Sequence, residues 1–406
     1  MNLESEITAN DYVIRVFDDP RQIDAEAWHA LLEIQAEPTP FMQHAYLSAM
    51  HESGSAVPRT GWSPRFIGLF DRDDDRRLAG AVALYLKTHS YGEYVFDWAW
   101  ADAYRRHGLR YYPKALGAAP FTPVQGSRLL ARDDAVRVAL VREIRAFALE
   151  AQLSSAHVLF IDDVDRAAFE AEGWLLREGV QFHWVRDDAA QVPDFAAYLA
   201  TLQRHKRKNI AQERRRVAEA GVTFTTLIGD QIDQDAWDFF HRCYTLTYEA
   251  HGGAPYLTRS FFTEMARTMA SNWVMFVAAR GGERIATSLV AIDPQRRAAW
   301  GRYWGCTEQV PCLHFEACYY QPLAWCIAQG YVRFEGGAQG AHKMARGLMP
   351  ARTSSAHWLA DERFAGAVAD FLSSEREGVE AYVDELREHS PFKASDASPS
   401  SSTFPR

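Results

Sequence analysis

Long apolar runs are missing from this chain. The longest, such as residues 79–86 and 274–279, stop far short of the ~18 or more residues that cross a bilayer as a helix. The first residues, MNLESEITANDYVIRV, place acids where a secretory signal has its basic start and apolar centre. A cytoplasmic protein with no transmembrane segment is the expectation. Cysteine is sparse and odd in number: Cys243, Cys306, Cys312, Cys318 and Cys326. That excludes a disulfide scaffold. There is no CxxC pair, and Cys306, Cys312, His314 and Cys318 lack zinc-finger spacing, so no metal site is expected. Positive charge falls short of negative, 44 Lys and Arg against 53 Asp and Glu, for a net charge of −9. A dedicated binder of bulk DNA is excluded, because such domains are basic.

What is present is ordinary globular material: 48% hydrophobic and 24% charged residues. At ~150 residues per domain, 406 residues make two or three domains. The aromatic fraction, 13% with 12 Trp, is the unusual value.

The pattern of apolar residues predicts mixed helix and strand. In the first half strands are expected at 12–17, 65–70, 78–87, 93–100, 157–161 and 179–186. Helices are expected at 25–33, with Asp24 as N-cap, and at 41–51, 136–152 and 166–172. After a polar stretch at 187–193, helices are expected at 195–219, 234–250 and 260–270. Strands at 273–280, 284–293 and 298–305, a helix at 314–329 and a strand at 331–335 follow, with a loop from Gly336. Both halves contain a hairpin, a third strand, a helix and a strand, a repeat of architecture rather than of sequence. The expected division is 1–190, 191–392 and a Ser- and Pro-rich disordered tail, 393–406.

Three stretches carry chemistry. The first, QRHKRKNIAQERRRVAEAG at 203–221, holds seven Lys or Arg between 204 and 216 against one acid, Glu213. In so acidic a chain this is a focused positive potential. Arg207, Lys208 and Asn209 are candidates to hold a phosphate, with a solvated charged face as the plain alternative. The second runs from Cys312 to Trp358. His314, Glu316, Cys318 and Tyr319 sit on a helix; Glu335 ends a strand; glycines and Gln339 follow; then come His342, Lys343, Arg346 and His357. An acid, histidines and cations on a loop after a strand suit proton transfer and anion binding. Glu335 or His342 is the candidate base, with Lys343 and Arg346 as electrostatic stabilisers. The third, EYVFDWAWADAYRRHGLRYYPK at 93–114, crowds aromatics around Asp97. Phe96 and Trp98 read as core, the 111–114 run as surface recognition, and Asp97 and Trp98 as part of a possible substrate-binding groove wall.

On these motifs, together with PFTPVQGSRLL and HFEACYYQPLAWCIAQG followed by FEGGAQGAHKMARG, the sequence resembles the FemAB-like "peptidoglycan biosynthesis/recognition" proteins, found mainly in Gram-negative bacteria. The resemblance spans roughly residues 12 to 392. It implies an α+β fold of two tandem GNAT-type acyltransferase domains, each a largely antiparallel sheet flanked by helices. Fem transferases take an acyl group from aminoacyl-tRNA and attach it to an amine of a peptidoglycan precursor. The resemblance would set Arg207 against a precursor phosphate. The stretch Glu335, Gln339, His342 also resembles the acid–glutamine loop of leucyl/phenylalanyl transferases. Neither PFTPVQGSRLL nor WGCTEQVPCLHFE matches the Gln/Arg-x-x-Gly-x-Gly/Ala turn with which acetyl-CoA enzymes cradle pyrophosphate. The expectation is therefore an acyl- or aminoacyltransferase with no prosthetic group, using aminoacyl-tRNA or acyl-CoA as donor and a phosphate-bearing substrate as partner. The alternatives are a CoA-dependent N-acetyltransferase with a divergent cofactor loop, and a non-catalytic protein that binds cell-wall fragments or a partner.

Overall fold

The computed structural model describes residues 12–74, 76–186, 192–337 and 340–393. The strands of the first half are β1 (Tyr12–Phe17), β2 (Trp62–Pro64), β3 (Phe66–Asp71), β4 (Leu78–Val82), β5 (Leu84–Lys87), β6 (Lys114–Gly117), β7 (Leu129–Ala131), β8 (Ser155–Ile161) and β9 (Leu175–Val185). Those of the second half are β10 (Val222–Ile228), β11 (Trp273–Arg280), β12 (Glu283–Asp293), β13 (Ala298–Cys306), β14 (Arg333–Glu335) and β15 (Met349–Leu359). The fold is mixed α/β, with a large, mostly antiparallel sheet and flanking helices.

Eleven strands form one sheet in the order β10-β11-β12-β13-β14-β9-β15-β8-β6-β5-β2, and four form another, β1-β3-β4-β7. The last strand of each half crosses to the other. β9 pairs with β14, and β15 lies between β9 and β8. Among the described residues each half contains one parallel pair, β6 with β8 and β13 with β14.

The aromatic excess goes largely to a core shared by the two halves. Trp28, Phe41, Tyr46 and Phe66 of the first half pack in one cluster with Trp237, Phe261 and Trp300 of the second. Phe41 meets Trp300 edge-on at 5.7 Å, and Tyr46 meets Phe261 at 5.4 Å. Such pairs contribute ~1 kcal/mol beyond the apolar area they bury.

Part of the acidic balance is spent on helix starts. Asp24, Asp133, Asp162, Asp194, Asp233 and Asp361 each cap a helix by accepting a backbone N–H. Each cap stabilises by ~1 kcal/mol, since it satisfies a donor the helix cannot.

Several expectations change. Residues 93–100 are not a strand. A helix, Trp98–Arg106, begins there because Trp100 and Tyr104, one turn apart, both bury against Tyr111 and Leu359. The expected strand at 78–87 breaks at Ala83 into β4 and β5, which belong to different sheets. Buried on both faces, the run showed no periodicity to mark the break. The helix expected at 195–219 is two, Phe195–Thr201 and Arg204–Glu219. The region after Gly336 is more than loop: it contains β15, followed by a 27-residue helix, Glu362–Glu388. The polar residues 187–191 and the tail 394–406 lie outside the described residues.

Candidate functional site

β13 and β14 run parallel for three residue pairs, from Ala298↔Arg333 to Trp300↔Glu335. β14 then ends and β13 continues to Cys306, so the two strands part. The free end of β13 and the helical segment after it border this opening. That segment is irregular: a turn at Leu313–Phe315, a π-helical stretch at Glu316–Tyr320, then the α-helix Gln321–Ala328. The apolar residues of 313–328 predict an uninterrupted helix. The π stretch adds a residue to one turn and frees the Ala317 carbonyl, which accepts from Ser288 Oγ at 2.5 Å. π stretches of this kind are frequent at functional sites.

The π stretch places Tyr319 against the 3-10 turn Ala341–Arg346. The Tyr319 hydroxyl lies 3.1 Å from His342 Nε2. Burial, then the charges of Arg346 and Lys343, push the His342 imidazole below its ordinary value. It is neutral at pH 7 and able to accept a proton. His314 packs edge-on against Trp304 and Tyr319 at 5.4 and 5.7 Å, and burial takes its pKa down to about 4. Lys343 is 3% exposed and donates from Nζ to the Gly337 carbonyl at 2.8 Å. Burial lowers its pKa to about 8. A cavity of about 530 Å³ opens beside this group, walled by Trp304, Cys306, Pro311, His314 and Phe315.

The basic helix docks onto the same cluster. Arg214 pairs with Glu316 at 3.2 Å, and Arg346 with Glu213 at 3.0 Å. Arg346 also lies 3.5 Å over the Phe315 ring. Its charge is therefore met by Glu213, and its first job is to hold the turn to the helix. Arg207 is seven residues before Arg214 and shares its face. Lys206, Arg207 and Lys208 make no ion pair with a described residue. Lys208 and Asn209 are exposed, and Arg207 is half-buried.

Other candidates lie elsewhere. Glu335 shares a sheet face with His183, 3.6 Å away, and Arg333, 3.5 Å away. Its neighbour Phe334 points to the opposite face, into the cluster that holds Tyr319, Met344 and Leu348. Strand alternation thus separates the Glu335 carboxylate from His342. Glu335 borders its own cavity of about 320 Å³ with Arg352 and Asp162. Gln339 lies outside the described residues. Among the described residues no group of three or more His, Cys, Asp or Glu is placed to hold a metal ion, and no helix is long and apolar enough to cross a membrane.

The FemAB-like family, described as peptidoglycan biosynthesis/recognition, matches residues 19–394. The chain belongs to that family. No curated protein matches it. Among solved structures, the L-PGS of Bacillus licheniformis is similar in fold, with a TM-score of 0.53 and 12% identity over 86% of this chain and 95% of its own. A conserved protein of unknown function from Bacteroides thetaiotaomicron is similar too, with a TM-score of 0.51 and 11% identity over 85% of this chain and 99% of its own.

This FemAB-like chain also buries a second polar cluster, at the far end of β15. Asp97 and His357 belong to it. Lys114, wholly buried, donates to Glu93 Oε2 at 2.7 Å and to Asp97. Tyr111 donates to Asp97 at 2.6 Å and lies 3.1 Å from His157. His157 meets His357 at 2.8 Å between their Nδ1 atoms. The expected surface run 111–114 is interior at its two ends, where Tyr111 and Lys114 are buried, while Tyr112 is half-buried and Pro113 exposed. The expected core residues Phe96 and Trp98 are 53% and 41% exposed. Trp98 opens the helix on its outer face, and Phe96 lies in the irregular segment before it. Glu93, Lys114 and His157 escaped the sequence reading, because a buried ion cluster has no local pattern. Arg302 escaped too, although it is the one charged residue in β13, AAWGRYWGC.

Proposed function

We propose that this chain is an acyl- or aminoacyltransferase that moves an acyl group onto an amine, with its reacting groups around His342. In this reading two GNAT-like units, 1–190 and 191–392, form the scaffold, joined by their exchanged last strands, and the protein works in the cytoplasm. The observation that carries it is the His342 imidazole, bonded to Tyr319 and flanked by Lys343, beside the opening where β13 and β14 part.

An amine that attacks an acyl carbonyl must shed a proton, and the carbonyl oxygen gains negative charge. The Tyr319 oxygen takes the proton as its own passes to His342 Nε2, to which it is bonded. The Lys343 ammonium, desolvated and held by the Gly337 carbonyl, faces the developing charge. The new C–N bond forms, the bond to the departing sulfur or ribose oxygen breaks, and that atom leaves with the proton held on His342. Arg207 and Lys208, with Asn209, hold a phosphate of the acceptor or donor. Glu316 keeps Arg214, and through it the basic helix, in place. The family description supports a peptidoglycan precursor as acceptor. The donor is an acyl-CoA or an aminoacyl-tRNA. The turn 307–312, TEQVPC, has no glycine and includes a proline, which lacks an N–H; this favours aminoacyl-tRNA.

The test is transfer of label from charged tRNA, and separately from acetyl-CoA, to nucleotide-linked muropeptides, with wild type, His342→Gln and Arg207→Ala. Transfer that falls sharply in His342→Gln and shows a raised KM in Arg207→Ala supports the reading. Transfer from no donor, or transfer untouched by His342→Gln, defeats it.

A further inference from the structure

A second cavity of about 350 Å³ lies along β13, lined by Tyr244, Tyr248, His251, Arg302 and Tyr303, and by Trp304, which it shares with the cavity beside His314. Arg302 is out of place there by ordinary rules. The β12–β13 ladder pairs Leu289 with Tyr303 and Val290 with Gly301, leaving Arg302 as the extra residue of a β-bulge. Bulges re-aim side chains and are over-represented next to active sites. The guanidinium is wedged between aromatic rings, 5.1 Å from the Phe41 centroid and 5.0 Å from that of Tyr303. Nη2 donates to the Phe121 carbonyl at 2.9 Å, to Thr122 Oγ1 at 3.3 Å and to the Tyr303 hydroxyl at 3.1 Å. Nε is sealed from solvent with no acceptor among the described residues.

All three partners are neutral, and no described carboxylate lies within 4 Å. Of the buried arginines of the first half, Arg137 has an acid in contact, while the Arg128 side chain donates to backbone carbonyls with acids farther off. Arg137 is bonded to Asp165 at 2.6 Å, and the charges of Asp165 and Asp162 bear on Arg128. A half-buried cation without a counter-ion is incompletely solvated, and a guanidinium cannot shed its proton to escape that cost. We propose that Arg302 is the anchor of a binding site for a monoanionic carboxylate carried on an apolar or aromatic body, such as the C-terminal carboxylate of an amino acid or peptide. Nη1, which has no acceptor among the described residues, is the nitrogen left to meet a carboxylate in a charge-assisted hydrogen bond. The tyrosine and tryptophan walls suit an apolar body. Among the described residues no Lys or second Arg lines the cavity, so they supply a single fixed positive charge, which undercompensates a phosphate dianion. The walls come from the second half of the chain, while Phe121, Thr122 and Phe41 of the first half hold the guanidinium that β13 supplies. The site lies apart from His342, and its ligand chemistry stands whether or not the transferase reading does.

The experiment measures binding without turnover. N-acetyl-phenylalanine, in both enantiomers, is titrated into the full chain against its C-terminal amide and against inorganic phosphate. Thermal stability and the fluorescence of Trp304 and its neighbours are followed. At least one enantiomer of the carboxylate should raise Tm saturably, as any ligand of the folded state does. The amide should bind at least ~10-fold more weakly, since it leaves the half-buried charge unmatched. Arg302→Met should abolish the carboxylate effect, and Arg302→Lys should keep part of it. No saturable effect of either enantiomer, equal binding of acid and amide, or tighter binding of phosphate overturns the assignment. The comparison of acid with amide is made on wild type, so it stands even if a variant fails to fold.

Discussion

Lys114 offers the sharpest test of the buried electrostatics. Its side chain is 0% exposed, and the side chains of its partners Glu93 and Asp97 are 2% and 4% exposed. Burial alone would lower the lysine pKa, but Glu93 and Asp97 outweigh it and hold the pKa raised. Burial pushes Glu93 up to about 7, against the pull of Lys114. Burial also pushes Asp97 upward, but Lys114, His157 and its hydrogen bonds win and bring it down to about 2. Lys114→Met removes the cation and leaves Asp97 buried beside a second carboxyl. Breaking a buried pair on one side costs about 3–5 kcal/mol, because the remaining charge has no solvent. The sign with pH follows. Without Lys114 both carboxyls are raised above their unfolded values. A carboxyl with a raised pKa contributes fully below its unfolded value and loses that contribution as pH rises through its folded value. The variant should therefore lie closer to wild type at pH 5 than at pH 8. Urea unfolding followed by circular dichroism at both values gives the difference. The triple variant Lys114→Met, Glu93→Gln, Asp97→Asn should recover most of the loss, since no charge is then left in the interior. A single variant within about 1 kcal/mol of wild type at pH 8 would refute the argument, as would a triple variant no more stable than the single one.

Other outcomes are expected. For transfer activity, kcat/KM should rise with pH on an acid limb below pH 6.5, as His342 loses its proton. It should fall again as Lys343 deprotonates near pH 8; a flat profile from pH 5 to 9 argues against both roles. His342→Gln should lower kcat by about 100-fold or more with little change in Tm, as expected for loss of a general base. Asp165 is fully buried and accepts from the Arg128 and Leu129 backbone N–H groups and from Arg137. Asp165→Ala should cost about 3 kcal/mol or more, read as a shift in the urea midpoint, because Arg137 loses its counter-ion. Trp98→Ala should change stability by less than about 0.5 kcal/mol, as is usual for exposed positions; a loss of several kcal/mol would mean that Trp98 is core after all.

The helix 234–250 and the strand 12–17 were legible almost to the residue, because each has one wet face and a clear period, and the strand 273–280, buried nearly throughout, was legible as an apolar run ending at the Gly281–Gly282 turn. The Asp24 cap was legible for the same local reason. The 93–100 stretch misled because Phe96, Trp98 and Trp100 fit period two, while the helical pair Trp100 and Tyr104 decided the outcome through contacts with Leu359, far along the chain. Of the expected site, the His314–Tyr319–His342–Lys343 grouping was visible as a density of polar residues, and the structure does bring those four together. Glu335 was grouped with them by proximity in sequence, but strand alternation turns its side chain to the other face.

Composition, patterning and motif by themselves determined the mixed α/β class, the family, the basic helix and the polar stretch near the C-terminal third. All of these are local or additive properties of the chain. Tertiary structure alone decided which strands meet, and so the exchange of β9 and β15 between the halves. It decided that Arg346 is matched by Glu213, that Lys114 is interior, and that Arg302 lines a cavity without a carboxylate. The pairing of buried charges depends on residues tens to hundreds of positions apart. Nothing in a local window says whether a cation will meet an acid, a ring or a ligand.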